Sequence, residues 1–307
     1  MKKKIVVIGS SNTDMIVKAP RIPRPGETVV GGEFSMAAGG KGANQAVAAA
    51  RAGGDVTFVA RLGDDLFGRQ ALAGFRRDCI RTKFVFKDNK TRSGVALICV
   101  GETGENSIVV ALGANAKLSP ADVEAARKAI SSADILMLQL EVPLETVAAA
   151  IRIAAGKKVR VILNPAPARA LDDNLLRHVS ILTPNETETE LLTGITIQDD
   201  SSIREASEML LSKGIGSVII TLGARGVYIA TREVHEFVPA FKVKAIDTTA
   251  GGDVFNGTLA VALAERKNLM EAVRFANAAA AISVTRMGAQ PSAPWRKEIR
   301  TFLQGAQ

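Results

Sequence analysis

The chain opens on KIVVIG, where Ile5, Val6, Val7 and Ile8 run together and stop at Gly9. An unbroken β-branched run closed by glycine predicts a strand buried on both faces. Similar runs recur at Val56–Ala60, Ile135–Leu140, Val159–Leu163, Ile181–Leu182 and Ser217–Leu222. Between them, apolar positions return at helical spacing over Ala43–Ala52, Ala121–Ser131, Leu144–Ala155 and Ile203–Lys213. Buried strands separated by helices predict an α/β fold with a mainly parallel central sheet and helices on both of its faces.

Two regions break that rhythm. Met15–Lys18 with Thr28–Phe34, and Ser93–Val100 with Ser107–Leu112, read as hairpin-like strands with no helix between them. In the second pair GETGEN, Gly101–Asn106, supplies the turn, and Val95, Leu97 and Cys99 alternate onto one face. These segments, roughly residues 15–34 and 93–112, are expected to form a small β-sheet inserted into one Rossmann-like domain spanning 1–307. A small sheet with an uncovered apolar face acts as a lid or as a dimer contact.

Composition narrows the function classes. Of 307 residues, 47% are apolar and 23% charged, enough for a sizeable core and unlike a disordered chain. The net charge of +8 is spread along the sequence, and aromatic residues are only 4%, too few to build stacking platforms for bases. No nucleic-acid partner is expected; an anionic small molecule fits the charge as well. Cys79 and Cys99 stand singly beside only two histidines, which excludes a Cys/His metal cluster and suggests two buried thiols in a reducing compartment. The apolar run Ile5–Ile8 is too short for a signal peptide, and no stretch is long enough to span a membrane. A cytoplasmic protein is expected.

Four stretches carry candidate chemistry. In AAGGKGANQA, Gly39, Gly40 and Gly42 surround Lys41, with Asn44 a turn further on. The stretch is a glycine turn capping an alanine-rich helix, or a loop whose glycines let a ligand reach the backbone. GSSNTDM follows the first strand, so Asn12 and Asp14 either form an ordinary turn or meet a ligand where α/β sheets collect them. Glu141, just past ILMLQL, adds a carboxylate suited to hydroxyl groups. TPNETETELLTG places Asn185 and Glu188 three apart at a helix start; the acids favour the helix dipole there and also suit a water-mediated Mg2+ site. Finally, DTTAGGDVFNG begins a helix with Ala250, Gly251, Gly252 and Asp253. Unpaired N–H groups at such a start make an anion site. A carboxylate beside it makes sense if the N–H groups hold a phosphoryl group while Asp253 meets the hydroxyl that attacks it.

GGKGANQA (Gly39–Ala46) and DTTAGGDVFNG (Asp247–Gly257), together with GSSNTD, LQLE, NPAPA, TPNETE, TLGARG and TRMGAQPS, resemble the ribokinase-like carbohydrate kinase family nearly end to end, from Val6 to about Trp295. The resemblance implies ATP-dependent phosphorylation of D-ribose on its 5-hydroxyl. It implies Asp253 as catalytic base and the amides of Ala250, Gly251, Gly252 and Asp253 as the hole for the transferring phosphoryl group. Asn12, Asp14, Gly40, Lys41, Asn44, Glu141 and Asp253 would line the sugar pocket. Asn185 and Glu188 would organise Mg2+ and phosphate, and Thr221, Gly223, Gly226, Gly252 and Asn277 would lie along ATP. Asp247, Thr249, Ser283, Arg286, Gly288 and Ser292 match loops that hold an activating K+ in ribokinase-type members, mostly through carbonyls. The lid of such members also makes a homodimer. One departure from the family pattern is the Ala-Gly order at 250 and 251, which keeps the N–H donors and leaves the loop freer.

Other readings stay open at this stage. 2-Deoxyribose or another sugar of the same family is an alternative substrate, and a non-catalytic sugar-sensing regulator on the same scaffold is an alternative class. A nucleoside kinase would need aromatic surfaces that the lid strands, with Phe34 and little else, do not supply.

Overall fold

The structure, a computed structural model, describes residues 3–103 and 105–306. Gly104, in the turn expected at Gly101–Asn106, lies outside the described residues. In chain order, β1 (Lys4–Ile8) leads into β2 (Asn12–Lys18) and β3 (Glu33–Gly39), and α1 (Lys41–Arg51) returns to β4 (Asp55–Gly63). Then come α2 (Leu66–Arg77), β5 (Arg81–Asp88), β6 (Gly94–Val100) and β7 (Asn106–Ala111). The middle of the chain holds α3 (Pro120–Ala125), α4 (Arg127–Ser131), β8 (Ile135–Leu138), α5 (Leu144–Ala155), β9 (Arg160–Leu163), α6 (Asp173–Leu176) and β10 (Ile181–Leu182). It ends with α7 (Glu186–Thr193), α8 (Asp200–Ser212), β11 (Ser217–Thr221), β12 (Gly226–Ala230), β13 (His235–Pro239), α9 (Gly251–Ala264), α10 (Leu269–Ser283) and α11 (Arg296–Gly305).

The larger sheet runs β13-β12-β11-β10-β9-β8-β1-β4-β5. From β11 to β5 every neighbouring pair is parallel, while β12 and β13 are antiparallel additions at one edge. Strand β1 is covered on both faces. Ile5 and Val7 pack in one core with α1 and α9, and Val6 and Ile8 pack in the other with α3 and α5. All four are at most 2% exposed, and sealing a side chain of this size contributes about 1.5–3 kcal/mol. That two-sided burial is why the opening run carries no polar alternation.

The chain leaves β1 in two directions: β4 and β5 lie on one side of it, β8 to β11 on the other. The crevice beyond the carboxyl ends of β1 and β8 is therefore a topological switch point, where open α/β sheets bind ligands. GSSNTD follows β1 and Glu141 follows β8, so both are delivered to that crevice by topology.

The smaller sheet runs β3-β2-β6-β7, with β2 and β6 parallel and the other pairs antiparallel. Its third-strand partner differs from the sequence expectation, because β3 begins at Glu33 and ends at Gly39 instead of spanning Thr28–Phe34. Pro20, Pro23, Pro25 and the left-handed glycines Gly26, Gly31 and Gly32 keep the connection irregular and push pairing further along the chain. Phe34, Met36, Leu97 and Val109 of this sheet are each more than half exposed. The helix expected over Ala121–Ser131 is divided at Ala126, where φ −89° and ψ 0° close α3 before α4 begins. The buried-thiol expectation fails: Cys79 is exposed in the tight turn after α2, where its φ is 57°, and Cys99 is half-buried. Among the described residues, no helix is long and apolar enough to cross a membrane.

Candidate active site

At the carboxyl end of β1, the chain turns through Ser10 and Ser11 and meets the start of α1. The cap of that helix is Gly40, at φ 87°; a Cβ there would lie 2.6 Å from the Asn12 nitrogen, so only glycine allows the approach. Ser10 accepts the Ala43 N–H on its carbonyl at 2.8 Å. Glu141 joins the two segments by accepting the Lys41 backbone N–H at 3.0 Å and the Ser10 hydroxyl. Asn12 is 6% exposed, and its Oδ1 accepts the Asn115 amide at 2.7 Å, which leaves its own NH2 turned elsewhere. Asp14 lies directly over Gly39. Its burial, reinforced by the charges of Glu141 and Asp253, raises its pKa from 3.8 to about 6. Three carboxyl groups thus converge on one end of the site. The Lys41 ammonium answers them: burial pulls its pKa down, but Asp253, Glu141 and Glu188 outweigh that and leave it raised.

The other half of the site is the start of α9. Ala250 caps this helix in the left-handed region at φ 59°, a conformation that costs a non-glycine residue roughly 1–2 kcal/mol. The Gly251 N–H, expected among the anion donors, is instead spent on the Thr248 carbonyl at 3.2 Å. Gly252 and Asp253 keep backbone N–H groups with no protein acceptor among the described residues, and a Cβ on Gly252 would meet only open space. The Asp253 side chain is 6% exposed. Its Oδ2 accepts the Asn44 amide at 3.0 Å and its Oδ1 the Gln45 amide at 2.9 Å.

A cavity of about 180 Å3 opens between Lys41 and the start of α9; Asn12, Asp14, Asn44 and Glu141 do not line it. It gathers Lys41, Asn185, Glu188, Thr221 and the whole run Ala250–Asp253, with Asn164, Thr183 and Asn256 between them. Asn256 is held by the Thr183 hydroxyl at 2.7 Å and donates to the Gly252 carbonyl at 2.8 Å, bracing the helix start. A larger cleft occurs at the opposite, amino ends of β1, β4 and β5, and another lies between α2 and the strands β4 and β5; neither holds any of these groups.

Asn185 and Glu188 are engaged with each other as the capping box of α7, through bonds of 2.8, 2.9 and 3.1 Å. Burial raises the Glu188 pKa against the opposing pull of the Asn185 N–H and of Lys41. Among the described residues no group of three or more His, Cys, Asp or Glu side chains could enclose a metal ion. A Mg2+ ion keeping its own water shell fits two such oxygens better than a bare ion does. Of the residues expected along a nucleotide, Thr221 pairs with Asn185 as an isolated bridge, and Gly223 is exposed at φ 54°. Gly226 and Asn277 do not line the cavity. Gly226, at φ 106°, is required by packing, since a Cβ there would sit 2.2 Å from the Val238 carbonyl. Asn277 is buried and donates to the Pro239 carbonyl at 3.4 Å.

The residues expected around an alkali cation fall into two linked turns behind α9. Asp247 accepts the N–H groups of Thr249 at 2.9 Å and Gly288 at 2.8 Å. Ser283 and Ser292 share a buried hydroxyl contact of 2.7 Å. The Arg286 side chain turns away to pair with Glu298 of α11, so only its backbone remains near these turns. Carboxylate, hydroxyl and carbonyl oxygens are a donor set for a hard cation.

Residues 2–296 match the pattern of the pfkB family carbohydrate kinases. The chain belongs to the pfkB family. A ribokinase of Haemophilus influenzae is 46% identical over 306 residues, covering 100% of both chains. A deoxyribokinase of Salmonella typhi is 39% identical, covering 97% of this chain and 98% of its own. The solved structure of Arabidopsis thaliana ribokinase complexed with ribose and ATP superposes with a TM-score of 0.92 at 32% identity, covering 99% of each chain. This pfkB kinase therefore carries its functional groups on a frame shared along the whole length.

Four polar residues of the site are given no role from sequence: Gln45, Asn164 and Asn256, which stand inside GGKGANQA, NPAPA and DTTAGGDVFNG, and Asn115, which lies outside any motif. Each is at most 8% exposed and hydrogen-bonded to a side chain of the site. The signal available for Gln45 is its place on the apolar face of an alanine-rich helix, where an amide must be satisfied internally.

Proposed function

We propose that this pfkB kinase transfers the γ-phosphoryl group of ATP to the 5-hydroxyl of D-ribose, giving ribose 5-phosphate and ADP. The observation that carries the reading is Asp253: its carboxylate is buried beside Lys41 while unpaired N–H groups of its own helix start face the same cavity. Phosphoryl transfer asks the protein for in-line positioning and charge stabilisation more than for covalent chemistry. Asp253 takes the proton of the attacking hydroxyl, and the Gly252 and Asp253 N–H groups receive the transferring phosphoryl group, with Ala250 and Gly251 shaping the turn. Asn12, Asp14, Gly40, Lys41, Asn44 and Glu141 hold the sugar. ATP lies along Thr221, Gly223 and Asn185, with Gly226 and Asn277 behind them. Asn185 and Glu188 meet hydrated Mg2+, which when bound neutralises phosphate charge. The turns of Asp247, Thr249, Ser283, Arg286, Gly288 and Ser292 hold K+.

The small sheet acts as a lid on a single domain. Its exposed Phe34, Met36, Leu97 and Val109 form a homodimer contact, since an apolar face of this kind needs covering. A cytoplasmic location goes with ATP as donor and with two free thiols. The test is ADP release over ribose, 2-deoxyribose, fructose and adenosine, with and without K+. Ribose should give the highest kcat/KM; equal or better turnover of 2-deoxyribose overturns the substrate, and no sugar-dependent ADP release overturns the activity.

A further inference from the structure

Gln45 is 1% exposed in the middle of α1, among Ala43, Ala46, Val47 and Ala49. Its Nε2 donates to Asp253 Oδ1 at 2.9 Å and to Asn164 Oδ1 at 3.2 Å, while its Oε1 accepts the Gln139 amide at 2.6 Å. Gln139 is completely buried, and it fits behind Gln45 because Gly9 has no side chain: a Cβ there would lie 2.1 Å from Gln139 Oε1. Asn164 is anchored in turn by the Thr183 carbonyl at 3.0 Å. Every polar atom of the Gln45 amide is thus committed.

We propose that Gln45 is a positioning residue for phosphoryl transfer, fixing the plane of the Asp253 carboxylate so that one free lone pair faces the attacking hydroxyl. The proposal rests on Asp253 being the base. A carboxylate bound at one oxygen still turns, because its terminal torsion has only a broad, two-fold preference. Asn44 alone would leave such a hinge. Gln45, the next residue of the same helix, holds the second oxygen, and the two donors together lock the torsion. Reversing the Gln45 amide would set its oxygen against the Asp253 carboxylate and against Asn164 Oδ1, which the Thr183 carbonyl holds in place, so these two acceptors enforce the productive orientation and Gln139 backs it from behind. The helix backbone is pinned as well: a Cβ on Gly257, one turn beyond Asp253, would come within 2.5 Å of the Gln45 carbonyl, so α1 and α9 touch there. Gln45 is 1% exposed and both polar atoms of its amide are already bonded inside the protein, so it acts through Asp253 and not on the sugar. A small misplacement of a catalytic group costs up to about 100-fold in rate.

The test compares wild type, Gln45→Met, Asp253→Asn and the double variant on whichever sugar of the panel the wild type phosphorylates, with thermal melting as a control for folding. Gln45→Met should lose about 10–100-fold in kcat, with KM for sugar and for ATP within about twofold. In the Asp253→Asn background the same substitution should change the residual rate by less than about twofold, because there is no base left to position. An unchanged kcat overturns the proposal. So does a raised sugar KM with kcat preserved, or a loss that multiplies in the double variant. Should Gln45→Met fail to fold, Gln139→Met removes only the outer clamp and should show the same kcat-only pattern, smaller in size; no kcat change there also overturns it. A wild type with no sugar-dependent turnover would fail the functional reading itself, a result distinct from an active Gln45→Met.

Discussion

Asn44 and Asp253 are joined by a 3.0 Å hydrogen bond across 209 residues of sequence. Because Gln45 donates to the other oxygen, both oxygens of Asp253 face amide NH2 groups. Asp253→Asn would set one NH2 against another as well as removing the base. Turnover should fall by at least about 100-fold, the usual scale of acid–base contributions. ATP affinity, read by calorimetry, should stay within a few-fold. A variant with near-normal turnover would remove Asp253 from the mechanism.

Asp14 makes the site sensitive to pH. Its folded-state pKa of about 6 lies above its ordinary 3.8, so the folded chain binds this proton more tightly than the unfolded chain. The ionised carboxylate therefore disfavours folding above about pH 6, and the penalty fades as pH falls toward 3.8. Asp14→Asn should raise Tm at pH 8 and raise it less at pH 5. Sugar binding runs the other way, since only the ionised form accepts two hydroxyls. The sugar KM should rise as pH drops through about 6 while the ATP KM stays level, and Asp14→Asn should erase that step.

Asn115 holds Asn12 and the Ser11 backbone together. Asn115→Leu would leave the buried Asn12 oxygen unpaired, at a cost of about 1–3 kcal/mol, and free its amide to turn. The sugar KM should rise about 5-fold or more, with the ATP KM unaltered. Steady-state kinetics over both substrates checks this, and a parallel rise in the two would point to general loosening.

Gly42 and Gly9 touch backbone to backbone: a Cβ on Gly42 would sit 2.6 Å from the Gly9 Cα. No side-chain rotation relieves that, so Gly42→Ala must push α1 off the end of β1. Stability should drop by about 2 kcal/mol or more, within the range of strained core substitutions. Chemical denaturation measures it. Gly252→Ala, facing open space, should leave stability within about 1 kcal/mol and act on kcat instead.

Much of this architecture is readable from residue order alone, for identifiable reasons. β1 is legible because burial on both faces removes every polar residue from Ile5–Ile8. The start of α9 is legible because two glycines and a carboxylate make no sense in an ordinary helix. The rest of α9 is not, since Val254–Ala264 is buried on all sides and shows no amphipathic period. β3 is misplaced from sequence because the proline-rich connection, not the apolar residues, decides where pairing with β2 begins. Gly251 looks like an anion donor until the Thr248 carbonyl is seen to occupy it. Gln45 and Asn115 hide for a common reason: their hydrogen-bond partners are remote in sequence, so even Gln45, inside GGKGANQA, gives no sign of what its amide touches.

The bond between Asn44 and Asp253 also divides the molecule's labour along the chain. Apart from Asp253, the groups assigned to the sugar lie before residue 142, and those assigned to ATP and its phosphates lie after residue 163, Lys41 alone reaching into both. The two sets meet across the α1–α9 seam. Exchange of the early segments between relatives could therefore rewrite which hydroxyl compound is accepted while the later segments keep the transfer machinery intact. On such a plan, sugar preference is a transplantable trait, and its compatibility test is whether the graft still offers two amides to the same carboxylate.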